Sequence, residues 1–300
     1  MTSIVSDLAD WRRLPLAHYA RPAAATGVLV CPPTHFDVVD VQNIHMVGRV
    51  AQVDRSRAEI EWRQLCDAFR GVGLRVEELE PEAGLVDLVF TANPSLHGVG
   101  RDGEPFCIEA RMRHASRQPE VARHMDWARQ HGLRRVRIPP HVSGCFEGGG
   151  DGVWHPGHFA LWGGVGPRSD RACFEALSAE LDLPVILLEL VDPAFYHLDT
   201  CLATLGPGRA AAVLSAFDDS GRQLLRAAFS ELIEVDEAEA RERLAGNLYC
   251  PNGRDVFLPA GSPRTRARLE AHGLQVTELR TDEFLKSGGS IYCLRQELYG

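Results

Sequence analysis

A short apolar, β-prone run followed by a stretch of helical periodicity recurs along this chain, and that recurrence constrains its fold most strongly. The apolar runs lie at 27–31, 87–92, 152–162, 198–205 and 247–258. The amphipathic helical patterns lie at 55–69, 119–131, 170–181, 218–230 and 263–272. A spacing of about 50–60 residues between units is an internal period, and it predicts repeated strand–helix modules.

Five such modules account for nearly the whole chain. Their approximate boundaries are 20–80, 85–140, 143–190, 195–240 and 245–300, and no Pro/Gly/Ser-rich linker separates them. Glycines 73 and 273 each follow a helical pattern and precede a short apolar run, which is typical of a helix, its C-cap and a strand. We therefore predict a single domain, residues 1–300, with five α/β modules around a central site. A plain mixed α/β sheet is the alternative.

The charge balance excludes two classes of partner. The chain has 32 Lys plus Arg and 41 Asp plus Glu, a net charge of −9. A field of this sign disfavours nucleic acids and anionic membranes, and it attracts cationic small molecules. No stretch approaches the roughly 18 apolar residues of a membrane span. Residues 1–11 carry two aspartates and no apolar core, so we expect no signal peptide and a cytoplasmic location.

The eight cysteines are dispersed and include no Cys-x-x-Cys pair. Without a secretory signal they are better interpreted as reduced thiols than as a disulfide framework. The same dispersal argues against a structural zinc site, and we expect neither a metal nor an organic cofactor. One reactive thiol among several buried, inert ones is compatible with this pattern.

Cys293 is the strongest candidate for that thiol. It ends the segment KSGGSIYC at 286–293. The Gly-Gly pair lets the backbone turn sharply or approach a ligand closely, which places the following cysteine at the edge of a cavity. A single cysteine is more often a small buried apolar residue, so this segment alone does not establish a nucleophile.

His197 and Asp199 are separated by one residue in the segment FYHLDT. In an extended strand, residues i and i+2 point to the same side, so both side chains would face one cavity. An imidazole beside a carboxylate suits a general acid/base or a cation site. A structural His–Asp pair is the alternative.

Glu147 and Asp151 enclose three glycines in FEGGGDG at 146–152. Glycines keep the backbone open around the two carboxylates, which favours recognition of a cation. A phosphate-binding loop is excluded, because no Lys-Ser/Thr follows and carboxylates would repel phosphate. A tight acidic turn is the structural alternative. Asn93 precedes a proline, and its default explanation is likewise a turn.

The combination of these groups is more informative than each one alone. A thiol, a histidine and several carboxylates from different modules converge only in a fold with a central funnel. Together they are typical of nucleophilic catalysis on a cationic, planar carbon centre. A papain-like protease is excluded, because its local signature around the cysteine is missing and the nucleophile lies at the wrong end of the chain.

Two longer segments carry a family resemblance. FLKSGGSIYCL at 284–294 and VDPAFYHLDTC at 191–201 resemble the guanidino-group-modifying (amidinotransferase, or pentein) superfamily. The similarity extends from about residue 36 to 294 and is strongest to the arginine dihydrolase and dimethylarginine hydrolase-like branch. It implies an α/β fold, a five-bladed pseudo-symmetric α/β propeller with a central active-site funnel.

The resemblance also implies roles for individual residues. Cys293 corresponds to the nucleophile, His197 to the general acid/base, and Glu147 to a carboxylate that clamps the guanidinium. The positions that match substrate-binding residues are Asn93, Asp199, Asn43, Arg168 and Arg117, the two arginines holding a substrate carboxylate. Ile44 departs from the family, whose members usually have Asn-Pro at this point, so the local turn is expected to differ.

Asn93 separates the branches of the family. Deiminases and dimethylarginine hydrolases carry Asp at the corresponding position, whereas arginine and succinylarginine dihydrolases carry Asn in a Thr-Ala-Asn context, as here. An Asp pairs with a cationic substrate and favours release of a neutral ureido product, whereas an Asn can hydrogen-bond either state. A ureido product that stays bound can be attacked again.

These observations predict a cysteine-dependent hydrolase of a small-molecule guanidino substrate, arginine or a derivative. Attack on the guanidine carbon gives a thiouronium intermediate, and a dihydrolase would yield an ornithine-type amine, two ammonia and carbon dioxide. The alternatives within the enzymes are a single-step deiminase or dimethylarginine dimethylaminohydrolase, and an amidinotransferase. A catalytically silent binding protein for a cationic ligand is the non-enzyme alternative. The oligomeric state stays open, a homo-oligomer included.

Overall fold

The computed structural model describes residues 3–19 and 24–299. Within them the strands are β1 (Ser3–Val5), β2 (Gly27–Val30), β3 (Arg75–Glu78), β4 (Ser95–Val99), β5 (Pro105–Glu109), β6 (Arg134–Val136), β7 (Gly152–Trp154), β8 (Leu161–Val165), β9 (Pro184–Glu189), β10 (Leu202–Gly206), β11 (Arg209–Ala212), β12 (Glu231–Glu234), β13 (Asp255–Pro259), β14 (Gln275–Leu279) and β15 (Gln296–Leu298). The α-helices are α1 (Leu8–Arg13), α2 (Arg55–Gly71), α3 (Gln118–Gln130), α4 (Gly148–Asp151), α5 (Arg171–Leu181), α6 (Asp219–Ala228), α7 (Glu237–Arg243) and α8 (Pro263–Ala271). The fold is therefore mixed α/β.

The strands of the described residues form five small sheets, not one continuous sheet. In strand order these are β1-β9-β8-β7, β10-β11-β12, β13-β14, β15-β2-β3 and β4-β5-β6. Each contains a parallel pair joined through a helix: α2 connects β2 to β3, α3 connects β5 to β6, α5 connects β8 to β9, α6 connects β11 to β12, and α8 connects β13 to β14. A parallel pair requires such a crossover, which explains the strand–helix period of the sequence.

Four of these parallel pairs are extended by an antiparallel strand. In three sheets that strand comes just before the pair in sequence, as β4, β7 and β10 do. The exception is β2, whose antiparallel partner is β15, so the segment that follows Cys293 returns to the first module.

The five helices predicted from periodicity are confirmed, with ends shifted by one or two residues. Helix α2 illustrates how local residues set the two ends of a helix. Asp54 caps its N-terminus by accepting from the Arg57 N–H, and Gly73 follows its C-terminal end with a φ of 87°. The periodicity of this helix predicts Ile60, Trp62 and Leu65 on its core face. Trp62 and Leu65 are buried, but Ile60 is 57% exposed and does not belong to that face.

The strand predicted at 87–92 is wrong. Residues 87–92 are buried but run through successive turns, with Phe90 N–H donating to the Asp87 carbonyl and Asn93 N–H to that of Phe90. The Thr91 hydroxyl donates a hydrogen bond to the Leu29 carbonyl in neighbouring β2. An apolar run is compatible with any buried backbone, so period alone could not identify these turns.

The predicted strand at 198–205 begins with a 3-10 turn, Leu198–Thr200, and β10 starts only at Leu202. The Thr200 hydroxyl donates to the His197 carbonyl at 2.6 Å, and the Leu198 N–H donates to Asp151 Oδ1 at 3.0 Å. These local bonds compete with a strand ladder. His197 and Asp199 are therefore not on one face of a strand.

The run at 247–258 is also only partly a strand, since regular pairing is confined to β13 and one bridge from Tyr249 to Phe257. The two runs around a Pro-Gly turn at 152–162 are confirmed as β7 and β8, which pair antiparallel. No helix of the described residues is long and apolar enough to cross a bilayer.

Candidate active site

A narrow cleft collects residues from all along the chain. Of the predicted site residues, it brings together Asn43, Asn93, Arg117, Arg168 and Cys293. The other wall residues are Gln42, Met46, Asp87, Phe90, Tyr196, Ser287 and Gly289. His197, Glu147 and Asp199 do not line the cleft but are buried against residues that do.

Cys293 reaches the cleft through a glycine turn. Gly288 has a φ of 82°, which a residue with a side chain rarely adopts. A Cβ on Gly289 would collide with the ring of Phe90. The Gly-Gly pair therefore permits both a left-handed turn and close packing, as the sequence predicts, and it leads into a thiol that is only 2% exposed.

Asp199 contacts the thiol directly. The Cys293 Sγ donates to Asp199 Oδ2 at 3.1 Å, while Asp199 Oδ1 is buried without a hydrogen-bond partner among the described residues. Burial raises the pKa of Asp199 to about 7, although the bonds from Cys293 and Asn247 and the charge of Arg295 act in the opposite direction. A buried acceptor of this kind is suited to a ligand that donates N–H groups.

The thiol is not poised as a thiolate by the protein alone. Burial raises the pKa of Cys293 well above its usual value, and the Asp199 carboxylate raises it further. A positive charge placed in the cleft would lower it again. A cationic ligand in the cleft would therefore favour the thiolate form of Cys293.

Asn247 is a site residue that the sequence analysis missed. Its Nδ2 lies 3.2 Å from Cys293 Sγ and 2.9 Å from the Asp199 carbonyl, and its Oδ1 accepts from the N–H groups of Tyr292 and Cys293. The side chain therefore fixes the backbone of Cys293 and donates to its sulfur. The sequence pattern that could have indicated Asn247 is a single Asn at the start of the apolar run at 247–258.

Replacing Asn247 with Ala should slow reaction of the thiol. The amide donor to sulfur lowers the pKa of Cys293, so its loss raises that pKa and leaves less thiolate at neutral pH. A hydrogen bond to a charged group contributes about 1.5–3 kcal/mol, which corresponds to roughly a 10–100-fold slower reaction. Alkylation of Cys293 by iodoacetamide at pH 7–9, followed by mass spectrometry, measures this. Asn252→Ala on the exposed surface is the control, and equal alkylation rates in both variants would contradict the assignment.

His197 and Glu147 form the second half of the site. His197 Nε2 lies 2.7 Å from Glu147 Oε2, and 4.0 Å from Asp151 Oδ2. Burial raises the pKa of Glu147, but the hydrogen bond from His197 and the charges of His197 and Arg168 outweigh it and hold that pKa far below its usual value. A carboxylate only accepts hydrogen bonds, so Nε2 carries a proton.

Glu147 is fully committed inside the protein. Its Oε1 accepts from the Arg113 N–H at 2.8 Å, and its Oε2 is shared by His197 and by Arg168 Nη1 at 3.1 Å. The contacts place it behind His197 and not on the cleft wall. They suit a residue that orients the imidazole better than one that clamps a guanidinium.

Asn93 links the histidine to an arginine. Arg117 Nη1 donates to Asn93 Oδ1 at 3.2 Å, which fixes the orientation of the amide, and Asn93 Nδ2 faces His197 Nδ1 at 3.5 Å. Arg117 also pairs with Glu120 at 2.8 Å, both side chains being buried. A Cβ on Gly150 would collide with Asn93 Nδ2, so this glycine is required for the contact. This contact suits an imidazole whose Nδ1 accepts from the amide.

The remaining predicted residues lie around the mouth of the cleft. Arg168 donates to the Gln42 carbonyl at 3.1 Å and stacks over the Tyr196 ring. Asn43 caps a 3-10 turn, Ile44–Met46, and donates to the Ser287 carbonyl at 3.0 Å. Ile44 is the first residue of this turn.

Asp87 was also missed, because it opens the run that the sequence analysis assigned to a strand. It is buried, its Oδ1 accepts from the Ser287 hydroxyl at 3.2 Å, and burial raises its pKa although Arg117 acts against this. Two turns bring Asp87 and Asn93 to the same cleft. No group of three or more His, Cys, Asp or Glu in the described part of the chain is arranged to hold a metal.

A family model described as N,N dimethylarginine dimethylhydrolase, eukaryotic, matches residues 38–299. The N(G),N(G)-dimethylarginine dimethylaminohydrolase of Mycobacterium tuberculosis is 34% identical over 89% of this chain and 84% of its own length. The bifunctional arginine dihydrolase/ornithine cyclodeaminase AgrE of Nostoc is 33% identical over 89% of this chain, which spans only 37% of AgrE.

Solved structures give the same grouping. The N-terminal domain of ArgZ, a cyanobacterial arginine dihydrolase solved as a substrate-bound mutant, superposes with a TM-score of 0.84 at 30% identity. That match covers 90% of this chain and 97% of the ArgZ domain. AgrE bound to L-arginine gives a TM-score of 0.84 at 32% identity, over 91% of this chain and 40% of AgrE.

Proposed function

This chain belongs to the N,N-dimethylarginine dimethylhydrolase family of the pentein superfamily, and we propose that its reaction is the dihydrolysis of free arginine. Its dimethylarginine hydrolase and arginine dihydrolase relatives are hydrolases acting on guanidino C–N bonds. The observation that carries the proposal is Asn93, an amide held between Arg117 and His197 in the wall of the cleft. An amide accepts either a cationic or a neutral substrate, so the ureido product of a first turn can stay for a second.

The proposal includes the arrangement of the modules. The five sheets are the five blades of an α/β propeller, and the cleft is its central funnel. The chain is one catalytic domain with the module boundaries given above. Support comes from the repeated parallel pair with its helix and from the return of β15 to β2.

The guanidinium lies against Asn93 on the cleft wall and is directed toward Asp199, which is buried next to Cys293 and whose Oδ1 has no partner among the described residues. Asp87 meets the substrate ammonium, because it is the carboxylate on the cleft wall. Arg117 and Arg168 hold the substrate carboxylate, and Asn43 contacts its stem. This placement selects a free amino acid over an Nα-acylated one.

The Cys293 sulfur is the nucleophile of the proposed reaction. The bound cation lowers the thiol pKa, the Cys293 proton passes to His197, and the thiolate attacks the guanidine carbon, forming a C–S bond. His197 donates a proton to the departing nitrogen, and ammonia leaves as the C–N bond breaks. His197 then takes a proton from water, whose oxygen attacks the thiouronium carbon and displaces the thiolate. The product is a ureido amino acid, citrulline.

A second turn repeats the sequence on the ureido carbon. Cys293 attacks, a second ammonia leaves, and water cleaves the C–S bond of the resulting S-carbamoyl intermediate. The carbamate released then loses carbon dioxide as its N–C bond breaks, which gives ornithine. Counting ammonia per arginine consumed tests the proposal directly. Two equivalents of ammonia together with ornithine are expected. One equivalent with accumulating citrulline would contradict a dihydrolase.

Asn93→Asp should divert the product toward citrulline. A carboxylate at this position matches only protonated His197, and its charge favours a cationic substrate over the neutral ureido compound. We expect the ammonia released per arginine to fall from two toward one. Asn252→Ala, on the exposed surface, is the control and should keep two. An unchanged ratio in Asn93→Asp would contradict the role of the amide.

Asp87→Asn should weaken arginine binding with little change in kcat. Loss of the charge partner for the ammonium is expected to raise KM about 10–100-fold. Steady-state kinetics on arginine and on Nα-acetylarginine measure the effect. The native protein should prefer arginine and the variant should lose that preference, whereas Asp126→Asn, on an exposed helix face, should not. A preference kept in Asp87→Asn would place the ammonium elsewhere.

A single-turn dimethylarginine dimethylaminohydrolase is the second candidate, favoured by the matching family model and the mycobacterial relative. Release of dimethylamine from dimethylarginine, at a kcat/KM above that for arginine, would establish it. A silent binding protein is tested with a chloroacetamidine, which resembles a guanidine. Failure to alkylate Cys293 would revive that alternative.

A further inference from the structure

Arg168 contacts two parts of the active site at once. Its side chain is 4% exposed and lines the cleft, where the proposed function assigns it to the substrate carboxylate. Its Nη1 also donates to Glu147 Oε2 at 3.1 Å, and its Nη2 donates to the Gln42 carbonyl at 3.1 Å. These bonds use two of the five N–H donors of a guanidinium, so the side chain can hold a substrate carboxylate as well. The contact with Glu147 is therefore compatible with a second role.

Glu147 Oε2 is the acceptor that Arg168 shares with the imidazole. His197 Nε2 lies 2.7 Å from this oxygen, while Oε1 of the same carboxylate accepts from the Arg113 N–H at 2.8 Å. Glu147, Arg168 and His197 are all buried. Hydrogen bonds between charged groups in such surroundings are short and strong. Arg168 therefore fixes the oxygen atom to which His197 is hydrogen-bonded.

The guanidinium of Arg168 is itself held in one orientation. Its carbon lies 4.8 Å from the ring centre of Tyr196, and the Gln42 carbonyl holds one of its nitrogens. A planar group fixed by a ring and a carbonyl cannot leave Glu147 without losing these contacts too. We infer that Arg168 is a positioning residue for the general acid/base of the proposed function, on which this role rests: through Glu147 it holds His197 in its reactive orientation.

The two roles of Arg168 affect different kinetic constants. A contact with the substrate carboxylate is made in the ground state and in the transition state alike, so its loss raises KM and leaves kcat unchanged. Positioning of His197 matters for proton transfer, so its loss lowers kcat. Arg168→Met should therefore lower kcat on arginine by at least about tenfold, beyond any rise in KM. Arg171→Met, which removes a partly exposed arginine paired with Glu189, is the control and should keep both constants within about twofold.

Combination with Glu147→Gln tests whether the effect of Arg168 passes through the carboxylate. Introduced into Glu147→Gln, Arg168→Met should lower kcat by less than about threefold, because the carboxylate that Arg168 positions is already gone. Equal falls in kcat in both backgrounds would overturn the inference. A native kcat in folded Arg168→Met, with only KM raised, would also overturn it and would leave Arg168 as a ligand of the substrate carboxylate alone.

Arg168→Lys keeps a positive charge beside Glu147, so it preserves the test if Arg168→Met fails to fold. An ammonium has no planar fork to span Glu147 and the Gln42 carbonyl and no plane to stack on Tyr196. We expect kcat to fall by at least about threefold, to a value above that of Arg168→Met. A native kcat in Arg168→Lys would overturn the inference.

NMR of protein with ¹⁵N-labelled histidine provides a readout that needs no turnover. The His197 signals, identified with His197→Gln, report which ring nitrogen carries the proton. Arg168→Met should shift these signals and Arg171→Met should not. Unshifted signals in folded Arg168→Met would overturn the inference, whatever the reaction is. Release of one ammonia per arginine, or of dimethylamine from dimethylarginine, would contradict the proposed dihydrolysis and leave this measurement valid.

Discussion

Cys293→Ser should abolish turnover of arginine, with kcat reduced about 10⁴-fold or more, while arginine still binds. A serine hydroxyl is a far weaker nucleophile than a thiolate, and neither Asp199 nor Asn247 supplies the strong base that it would need. Ammonia release measures turnover, and titration calorimetry on the same variant measures binding. Thermal unfolding verifies that the variant is folded.

Cys145→Ser is the matched control, because it removes a thiol that is half-buried and lies outside the cleft. It should keep activity within about twofold, since substitutions away from functional groups usually have small effects. Chloroacetamidine should label the native protein at Cys293 alone and should leave Cys293→Ser unlabelled. The expected loss is roughly 10⁴-fold, so residual turnover in Cys293→Ser above about 1% of native would contradict the role of Cys293 as the nucleophile.

Glu147→Gln should have the second largest effect, a fall in kcat of roughly 10²–10⁴-fold with a small change in KM. The isosteric amide removes the charge that stabilises an imidazolium and no longer dictates which nitrogen of His197 carries the proton. It also leaves Arg168 without its ion pair, so some loss of stability is expected. Steady-state kinetics from pH 5 to 9 should show a lower kcat than that of the native protein at every pH.

The pH profile separates this role from a structural one. Glu147 Oε2 lies 2.7 Å from His197 Nε2, so replacing this carboxylate with a neutral amide should shift the limb of the pH profile that depends on the pair. Glu180→Gln, on the exposed face of α5, is the control and should leave the profile unchanged. A reduced rate with an unshifted limb would mean that Glu147 only supports the fold.

The order of modules could be predicted from the sequence because it depends on local periodicity. Helix faces and their glycine ends are set within a few residues, as α2 and Gly73 illustrate. The backbone at 87–93 could not be predicted, because its turns depend on the Thr91 bond to Leu29 in another part of the chain. A buried apolar run has the same pattern in either case.

The candidate site divides in the same way. Cys293, His197 and Glu147 lie in segments whose glycines and polar spacing are visible in the sequence, and the resemblance added their roles. Asp87 and Asn247 were missed because a lone polar residue beside an apolar run has no distinctive pattern. Their importance comes from contacts with Ser287 and Cys293, about 200 and 46 residues away in sequence.

The pairing of β15 with β2 has a consequence for how the protein is made. The edge of β2 can find its partner only after Cys293 and the strand beyond it have left the ribosome. Until then the first module carries an unpaired strand edge, the kind of surface that recruits other chains. We expect nascent and refolding chains to be most prone to self-association before this last pairing, and expression at low temperature or with chaperones to raise the yield of active protein.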